Sequence, residues 1–361
     1  MLIRIYIFLL FLLAPILGIF LFFGQNNPYS SLESGSLVEG HMEILEHNEM
    51  IRSNLFVKRE LITETQLLSH VSNEILGFMQ ENANEELLDY LEQQEKLNLI
   101  VEASARHQQK SADLIDSLLA TMLGDPIGQT FGENSIVKVY SLQEAGYRGY
   151  MAKVRLHNPN AIKMLLANDE IASNGETTSQ AAKRSGAVLA INAGGFTSQN
   201  GKLYPIGITV IDGEIVTFYD TSISFIGFNK KGHLVGGNVN SREQIKEMEV
   251  QQGASFHPIL LKQGVKQNIP ARWANTRHPR TLIGHFTNGD LFFMVVDGRR
   301  EGWSTGVTLE EAQDKLIEFN IRDAYNLDGG GSSTFYYDGK VLNKPSAGQE
   351  RRVTTNIVVM P

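Results

Sequence analysis

The chain has 361 residues, no cysteine and a formal net charge of −8. This length favours more than one domain, and the lack of cysteine excludes disulfides, thiolate nucleophiles and cysteine-ligated zinc. Residues 36–123 hold 16 acidic and 6 basic side chains against 24 and 26 elsewhere, so the near-neutral remainder gives no sign of a nucleic-acid-binding surface.

The first 23 residues predict a membrane anchor. Residues 5–23 are uncharged, and Arg4 precedes them. This stretch is close to the length of a helix that spans a bilayer, and the position of the positive charge places the rest outside the cytoplasm. A cleaved signal peptide is the competing interpretation, although bulky Phe22 and Phe23 stand where a cleavage site requires small residues. The predicted location is the cell membrane, with one pass and an extracytoplasmic C-terminal domain.

Residues 24–40 predict a flexible linker, and residues 41–123 predict a helical stalk. Apolar residues in the stalk recur at helical spacings, as at Leu61, Leu68 and Ile75. The heptads are imperfect, so a helical hairpin and a coiled coil, with self-association, are both open alternatives. A spacer that lifts the next domain off the membrane is favoured over a partner-binding helix.

Residues 127–361 predict an α+β domain with a mixed, largely antiparallel sheet and packed helices. Asp212-Gly213, Asn288-Gly289 and Asp338-Gly339 each separate two apolar, β-rich runs, as tight hairpin turns do. The sequence from Thr308 to Glu311 is a capping box that begins a helix. There is no regular alternation of strand and helix, which argues against a doubly wound fold.

The run from Asn326 to Thr334 is the most informative motif in the chain. A strand-like segment leads into Asp328, three glycines and three hydroxyl residues. Three consecutive glycines are costly in chain entropy, so they favour a close backbone approach or amides that bind an anion. A simple hairpin loop is the alternative. Asp328 is a candidate acid, base or metal ligand.

Four further clusters lie at predicted strand ends, where side chains can converge on one cleft: residues 191–196, 277–281, 295–299 and 351–356. Their arginines favour a phosphate or carboxylate ligand, and Asp297 with Asp328 supplies the two carboxylates that glycoside hydrolysis often requires. For Asp297 a turn is the alternative, and for Arg351 a solvated strand edge. No second histidine stands at metal-ligand spacing from His278. No cofactor or metal is predicted, with a divalent cation near the acids as the alternative.

These motifs occur in an order that resembles the phosphodiester glycosidase family, which includes the mannose-6-phosphate uncovering enzyme. The resemblance covers roughly residues 135–361 and rests on Asn192–Phe196, Pro279–Gly284, Asp297-Gly298 and Asn326–Thr334. It implies hydrolysis of a sugar-1-phosphodiester at the anomeric carbon. Relatives often carry Asn-Gly-Gly-Phe-Phe where this chain has Asn192–Phe196.

The resemblance and the clusters together assign hypothetical roles. Asp328 and Asp297 form an acid/base or nucleophile pair, with the role of each left open. Arg280 and Arg351 hold the phosphate with the Gly329, Gly330 and Gly331 amides, and Asn192 and Asn326 orient the sugar. The remaining predicted substrate-binding residues are Gly194, Thr281, Ser332, Ser333 and Asn356.

The predicted partner is a glycan with sugar-phosphate linkages in the cell envelope or an exopolysaccharide. The alternative is a noncatalytic protein that binds or assembles an anionic surface polysaccharide.

Overall fold

The computed structural model of the protein describes residues 62, 64–74 and 88–361. The predicted anchor and linker lie outside the described residues, as do residues 41–61, 63 and 75–87 of the predicted stalk. Within the part of the chain that is described, no helix is both long and apolar enough to cross a bilayer.

The end of the predicted stalk packs on the rest of the domain. Residues 64–74 are helical, and helix α1 spans Leu88–Leu123. Near the end of α1, Ile115 and Leu119 are buried in a core cluster of the following domain. Asp116 of the same helix pairs with Lys138 at 2.6 Å and with the buried Lys153. These turns therefore belong to the domain core, which corrects the interpretation of the whole segment as a spacer. The boundary predicted at residue 127 stays a prediction.

The largest sheet has eight antiparallel strands, as the many hairpin signals predict. In spatial order they are β1 (Gly128–Phe131), β2 (Ser135–Glu144), β3 (Tyr147–Leu156), β16 (Leu291–Val296), β15 (Arg280–Phe286), β17 (Ile321–Leu327), β13 (Ile259–Lys262) and β14 (Val265–Lys266).

Two five-stranded sheets and a short hairpin complete the β structure. One sheet has the order β19 (Lys340–Val341), β18 (Phe335–Tyr337), β5 (Leu189–Asn192), β20 (Thr355–Val359) and β4 (Ile162–Leu166). The other has the order β11 (Leu234–Gly237), β10 (Phe225–Asn229), β12 (Val250–Ser255), β8 (Ile208–Ile211) and β9 (Glu214–Phe218). The hairpin consists of β6 (Phe196–Gln199) and β7 (Lys202–Pro205).

The helices after α1 are short: α2 (Thr178–Ser185), α3 (Arg242–Glu247), α4 (Ala271–Ala274) and α5 (Leu309–Glu318). The capping box predicted at the start of α5 is present, because Thr308 Oγ1 accepts from Glu311 N at 3.1 Å while Glu311 accepts from Thr308 N. All three predicted hairpin turns also join the expected strand pairs. The α+β class with largely antiparallel sheets is therefore confirmed.

Both faces of the eight-stranded sheet are covered. One face forms a core with residues of the two five-stranded sheets, including Ile191, Phe228 and Ile357. The other face packs against α1 and α5 through residues such as Leu119 and Leu316. This double covering explains why β16 is apolar at every position instead of alternating. It also fixes the register of the central strands, which carry the predicted site at their ends.

Candidate active site

The ends of three neighbouring strands bring the predicted clusters together. Strand β15 runs antiparallel between β16 and β17, with Arg280 opposite Val296 and Thr281 opposite Leu327. Asp297 and Asp328 directly follow β16 and β17, so they flank the start of β15 from its two sides. Their backbones are two interstrand spacings apart, which is roughly 10 Å. The strand ends thus bring these clusters close together, and their role as one substrate site stays a prediction.

Asn192, at the end of β5, ties the glycine loop to the central sheet. Its buried side chain donates from Nδ2 to Asp328 O at 2.6 Å. Its Oδ1 accepts from Thr281 Oγ1 at 2.8 Å and from Thr334 N at 3.1 Å. Because a backbone N–H can only donate, the contact with Thr334 fixes the orientation of the amide. Both lone pairs of Oδ1 are used, so Asn192 holds the loop in place and leaves little for a sugar.

A different physical constraint favours glycine at each of the three positions in the loop. A side chain at Gly329 would begin 2.8 Å from Pro279 O, and Gly330 has a φ of +61° that disfavours other residues. A side chain at Gly331 would begin 2.8 Å from the guanidinium of Arg351. The close approach that three glycines predict is thus present. The Gly330 amide, however, donates to Pro279 O at 2.8 Å, so it does not face an anion as the sequence suggested.

Two guanidinium groups lie against this loop. A methyl group on Gly330 would be 3.3 Å from Nη1 and Nη2 of Arg299, and Arg351 contacts Gly331 in the same way. Across the described residues, neither arginine forms a salt bridge with an acid. The backbone beside these two arginines is rich in glycine but is held in place by its contacts. Two guanidinium groups without a salt-bridge partner at such a position suit a phosphate group. Arg299 was given no role from the sequence, although it directly follows Asp297-Gly298.

Arg280 lies beneath the loop and is used differently from Arg299. It is 3% exposed, with Nε donating to Val307 O at 3.3 Å and Nη2 donating to Thr276 O at 3.0 Å. Burial, with a smaller effect of Arg299, lowers the pKa of Arg280 to about 10. Its contacts are therefore those of a residue that joins β15 to its neighbouring segments, and Arg299 is the better-placed partner for Arg351.

Asp297 is buried and fully hydrogen-bonded. Its Oδ2 accepts from Trp303 Nε1 at 2.8 Å, its Oδ1 accepts from Asn343 Nδ2 at 3.1 Å, and Lys344 N donates to both oxygens. Burial raises the pKa of Asp297, and these donors act against the rise. Asn343 also donates to Ser333 O at 3.0 Å, so this carboxylate supports the end of the glycine loop.

Asp328 differs from Asp297 because no described side chain holds its carboxylate in a hydrogen bond of good geometry. Burial raises the pKa of Asp328, while the Ser332 hydroxyl, the charge of Arg351 and the Gly329 amide lower it. The Ser332 hydroxyl acts on this pKa, although Ser332 Oγ has no hydrogen bond of standard geometry among the described residues. A half-buried carboxyl with a raised pKa near an arginine is suited to proton transfer or nucleophilic attack.

Several buried polar atoms around Asp328 have no hydrogen-bond partner within the described part of the chain. They include Asn326 Oδ1, Ser333 Oγ and Asn356 Nδ2. The other atoms of two of these residues are used, since Asn326 Nδ2 donates to His257 O at 2.8 Å and Asn356 Oδ1 accepts from Thr178 Oγ1 at 2.7 Å. Unsatisfied buried groups are costly, so they are natural contacts for substrate hydroxyls or water. Gly194 N is not available, because it donates to Thr355 Oγ1 at 3.0 Å.

His278 lies beside Arg299, with its Nδ1 3.0 Å from Arg299 Nη2. Because a guanidinium can only donate, Nδ1 is the acceptor, and the proton of the neutral ring lies on Nε2. Burial, Arg299 and Arg280 all lower the pKa of His278, which keeps the ring neutral. Among the described residues there is no group of three or more His, Asp or Glu side chains that could hold a metal ion.

A separate cavity of about 180 Å³ lies between α1 and strands β1–β3. Its charged groups pair with neighbours: Asp116 binds Lys138 and Lys153, and Arg155 binds Asp290. It is distant in the fold from the glycine loop and offers a ligand few unpaired charges.

A family model described as phosphodiester glycosidase matches residues 185–360. Two curated proteins are similar to part of this chain. The SPbeta prophage-derived uncharacterized protein YomE of Bacillus subtilis (strain 168) is 32% identical over 199 residues, covering 52% of this chain and 30% of that protein. The N-acetylglucosamine-1-phosphodiester alpha-N-acetylglucosaminidase of Bos taurus is 29% identical over 187 residues, covering 47% of this chain and 35% of that enzyme. The chain thus spans about a third of the length of these relatives.

Solved structures show the same fold. The catalytic domain of the zebrafish N-acetylglucosamine-1-phosphodiester alpha-N-acetylglucosaminidase, auto-inhibited by its pro-peptide, superposes with a TM-score of 0.53 at 23% identity. The match covers 63% of this chain and 83% of that domain. A hypothetical protein from Synechocystis has the same TM-score at 16% identity, covering 65% and 64%.

Proposed function

Because residues 185–360 carry a domain of the phosphodiester glycosidase family, we propose that this protein hydrolyses a sugar-1-phosphodiester at the anomeric carbon. One observation carries the proposal. The glycine loop holds a half-buried carboxyl with a raised pKa, Asp328, near the charge of Arg351, while Arg299 lies against Gly330, and neither arginine forms a salt bridge with an acid among the described residues. This juxtaposition offers one group for the reaction and two for the phosphate.

The bond that breaks joins the anomeric carbon to a phosphate oxygen, and the phosphomonoester leaves with the bonding electron pair. A phosphomonoester has a second pKa of about 6, so it can leave at neutral pH without receiving a proton. Arg299 and Arg351 would stabilise the negative charge that develops on it. The reaction therefore does not require a second carboxyl as general acid.

Asp328 would act at the anomeric carbon. As a base it accepts a proton from water while the water oxygen bonds to the carbon. A base is most effective when its pKa is close to the working pH, and a raised pKa is closer to neutrality. As a nucleophile it forms a glycosyl ester that water then hydrolyses. The two routes differ in outcome, since a single displacement inverts the anomeric configuration and two displacements retain it.

We further propose that the protein is membrane-anchored and acts on an envelope or exopolysaccharide glycan. Support comes from Arg4 and the uncharged residues 5–23, since an anchor concentrates the enzyme near such a substrate. Protease added to intact cells should remove the domain that begins near residue 127. Protection of that domain until the cells are lysed would contradict the orientation.

The activity is tested by incubating the full-length protein with a panel of sugar-1-phosphodiesters. Release of free reducing sugar with a phosphomonoester is expected, and it should be lost in Asp328→Asn but kept in Asp338→Asn, an exposed turn residue. Release of sugar-1-phosphate would mean cleavage of the P–O bond and would contradict the proposal. Binding of the panel without release of sugar would favour a noncatalytic polysaccharide-binding protein.

A further inference from the structure

We propose that Phe256, His257 and Trp273 form an aromatic wall that binds the sugar ring, a specificity that rests on the proposed function. The ring centroids of Phe256 and Trp273 are 6.1 Å apart, and those of His257 and Trp273 are 5.5 Å apart. All three side chains are half-buried. Trp273 also packs against the core that covers the central sheet, so the wall has a fixed support.

Contacts from two chain segments place this wall beside Asp328. From β17, Asn326 donates through Nδ2 to His257 O at 2.8 Å and through its backbone N to Pro258 O at 3.2 Å. From the segment after β5, a side chain at Gly195 would begin 2.9 Å from the Phe256 ring. That second segment also holds the loop directly, because Asp328 N donates to Ala193 O at 3.0 Å.

The segment that carries the wall and the two arginines contact residues on either side of Asp328 in the sequence. Asn326, which contacts the wall, precedes Asp328, whereas Gly330 and Gly331, which contact Arg299 and Arg351, follow it. A sugar-1-phosphodiester has the same order of parts: a ring, the anomeric carbon and a phosphate. A substrate with its phosphate on the arginines would therefore place its anomeric carbon near Asp328 and its ring near the wall.

The chemistry of the wall suits a pyranose. Aromatic side chains offer large, rigid apolar faces, and ligand sites typically combine such faces with a few fixed polar atoms. Asn326 Oδ1 is the polar atom here: the residue is 1% exposed, and this buried atom lacks a hydrogen-bond partner in the described structure. As an acceptor it requires a donor, which a ring hydroxyl or the N–H of an acetamido group would supply. The structure thus favours a pyranose with a donor that reaches Asn326.

The test measures sugar binding without turnover. The chain has two tryptophans, Trp273 and Trp303, so intrinsic fluorescence can be assigned by comparing Trp273→Phe with Trp303→Phe. Free glucose, galactose and N-acetylglucosamine are the probes, and inorganic phosphate is the probe of the arginine side. At least one sugar should change the fluorescence of the wild-type protein and of Trp303→Phe, with the change lost in Trp273→Phe.

In kinetic assays, Trp273→Leu should raise KM at least tenfold and weaken inhibition by the free sugar by a similar factor, with inhibition by phosphate unchanged. Trp273→Phe should restore most of the KM, because it keeps an aromatic face. Tyr219→Leu is the matched control, since this side chain is an exposed aromatic and the ring pairs of the wall in the described structure do not include it.

Three results would overturn the proposal: no sugar changes the wild-type fluorescence, Trp273→Leu leaves sugar inhibition intact, or it weakens phosphate binding equally, as general unfolding would. Because the fluorescence titration with free sugar requires no hydrolysis, failure of the wall to bind sugar is distinguishable from failure of the proposed reaction.

Discussion

The site contains two regions that look alike in the sequence and differ in their contacts. One is the buried hub, formed by Asn192, Thr281, Arg280 and Asp297, whose main hydrogen-bonding groups are used inside the protein. The other is the glycine loop, formed by residues 328–333 with Arg299 and Arg351 against it, whose carboxyl and hydroxyl groups have few partners among the described residues. Under the proposed function, we therefore expect the hub to shape the site and the loop to act on the substrate.

The two regions should also differ in energy. A satisfied buried network stabilises the fold, whereas unsatisfied polar groups cost stability that a functional site retains for its ligand. Substitutions in the hub are therefore expected to lower stability and activity together. Substitutions in the glycine loop are expected to lower activity while stability is kept or raised.

The largest expected effect is that of Asp328→Asn on turnover. Loss of a catalytic acid, base or nucleophile should lower kcat by about 10²–10⁴-fold. The folded protein should remain, since no described side chain depends on this carboxylate for a well-aligned hydrogen bond. Steady-state kinetics beside Asp338→Asn measures the effect, and near-normal turnover would remove Asp328 from the chemistry.

Asp328→Asn should also change how the stability of the protein depends on pH. The folded-state pKa of Asp328 is raised, so the stability it contributes is full below the unfolded pKa of about 3.9 and is lost as pH rises through the folded pKa. Asparagine does not ionise and escapes this loss. Thermal unfolding should give similar Tm values for both proteins in acid and a higher Tm for Asp328→Asn near neutrality. A lower Tm for the variant at neutral pH would place Asp328 in the hub.

Asn192→Ala should lower the stability of the protein, in contrast to Asp328→Asn. The substitution leaves Thr334 N–H and Asp328 C=O buried without their partner, and each unsatisfied group costs about 1–3 kcal/mol. We expect the free energy of unfolding in urea to fall by roughly 2–4 kcal/mol, with activity reduced because the loop shifts. Asn268→Ala, at an exposed position, is the control. Loss of activity at full stability would mean that Asn192 contacts the substrate instead.

The sequence predicted what depends on local signals. Turns such as Asp338-Gly339, the capping box of α5 and the clusters at strand ends each follow from neighbouring residues. The division into hub and loop depends on partners far apart in the chain, as Asn192 and Thr281 are, 89 positions from each other. The periodicity of α1 indicated an apolar face at Ile115 and Leu119, but it contains no information on what covers that face. Arg299 and Trp273 had no motif of their own and were found only through contacts.

The arginines of the loop should have a smaller effect than Asp328. A charge-assisted hydrogen bond contributes about 1.5–3 kcal/mol, so Arg299→Gln and Arg351→Gln should each lower kcat/KM by roughly 10–100-fold. The inhibition constant for inorganic phosphate should rise in parallel. Arg352→Gln is the matched control, because Arg352 donates to Gly175 O and has no contact with the loop in the described structure. An equal effect of the control would show that the charge of the region matters and not the position of the two guanidinium groups.

Asp297→Asn should have the smallest effect on turnover, and it tests the comparison most directly. The amide keeps the shape of the carboxylate, but one NH₂ group must face a donor, either Trp303 Nε1 or Asn343 Nδ2. We expect the free energy of unfolding to fall by about 1–3 kcal/mol and kcat by less than about tenfold, because the loop is supported through Asn343 and Ser333 rather than contacted by the carboxylate. Asn343→Ala removes the same link from the other side and should give a similar pair of changes. If Asp297 instead forms a catalytic pair with Asp328, as two carboxylates in one site would suggest, Asp297→Asn will lose at least about 10²-fold in kcat with no loss of stability. Asn343→Ala will then differ from Asp297→Asn, and Asp297 must be assigned to the loop instead of the hub.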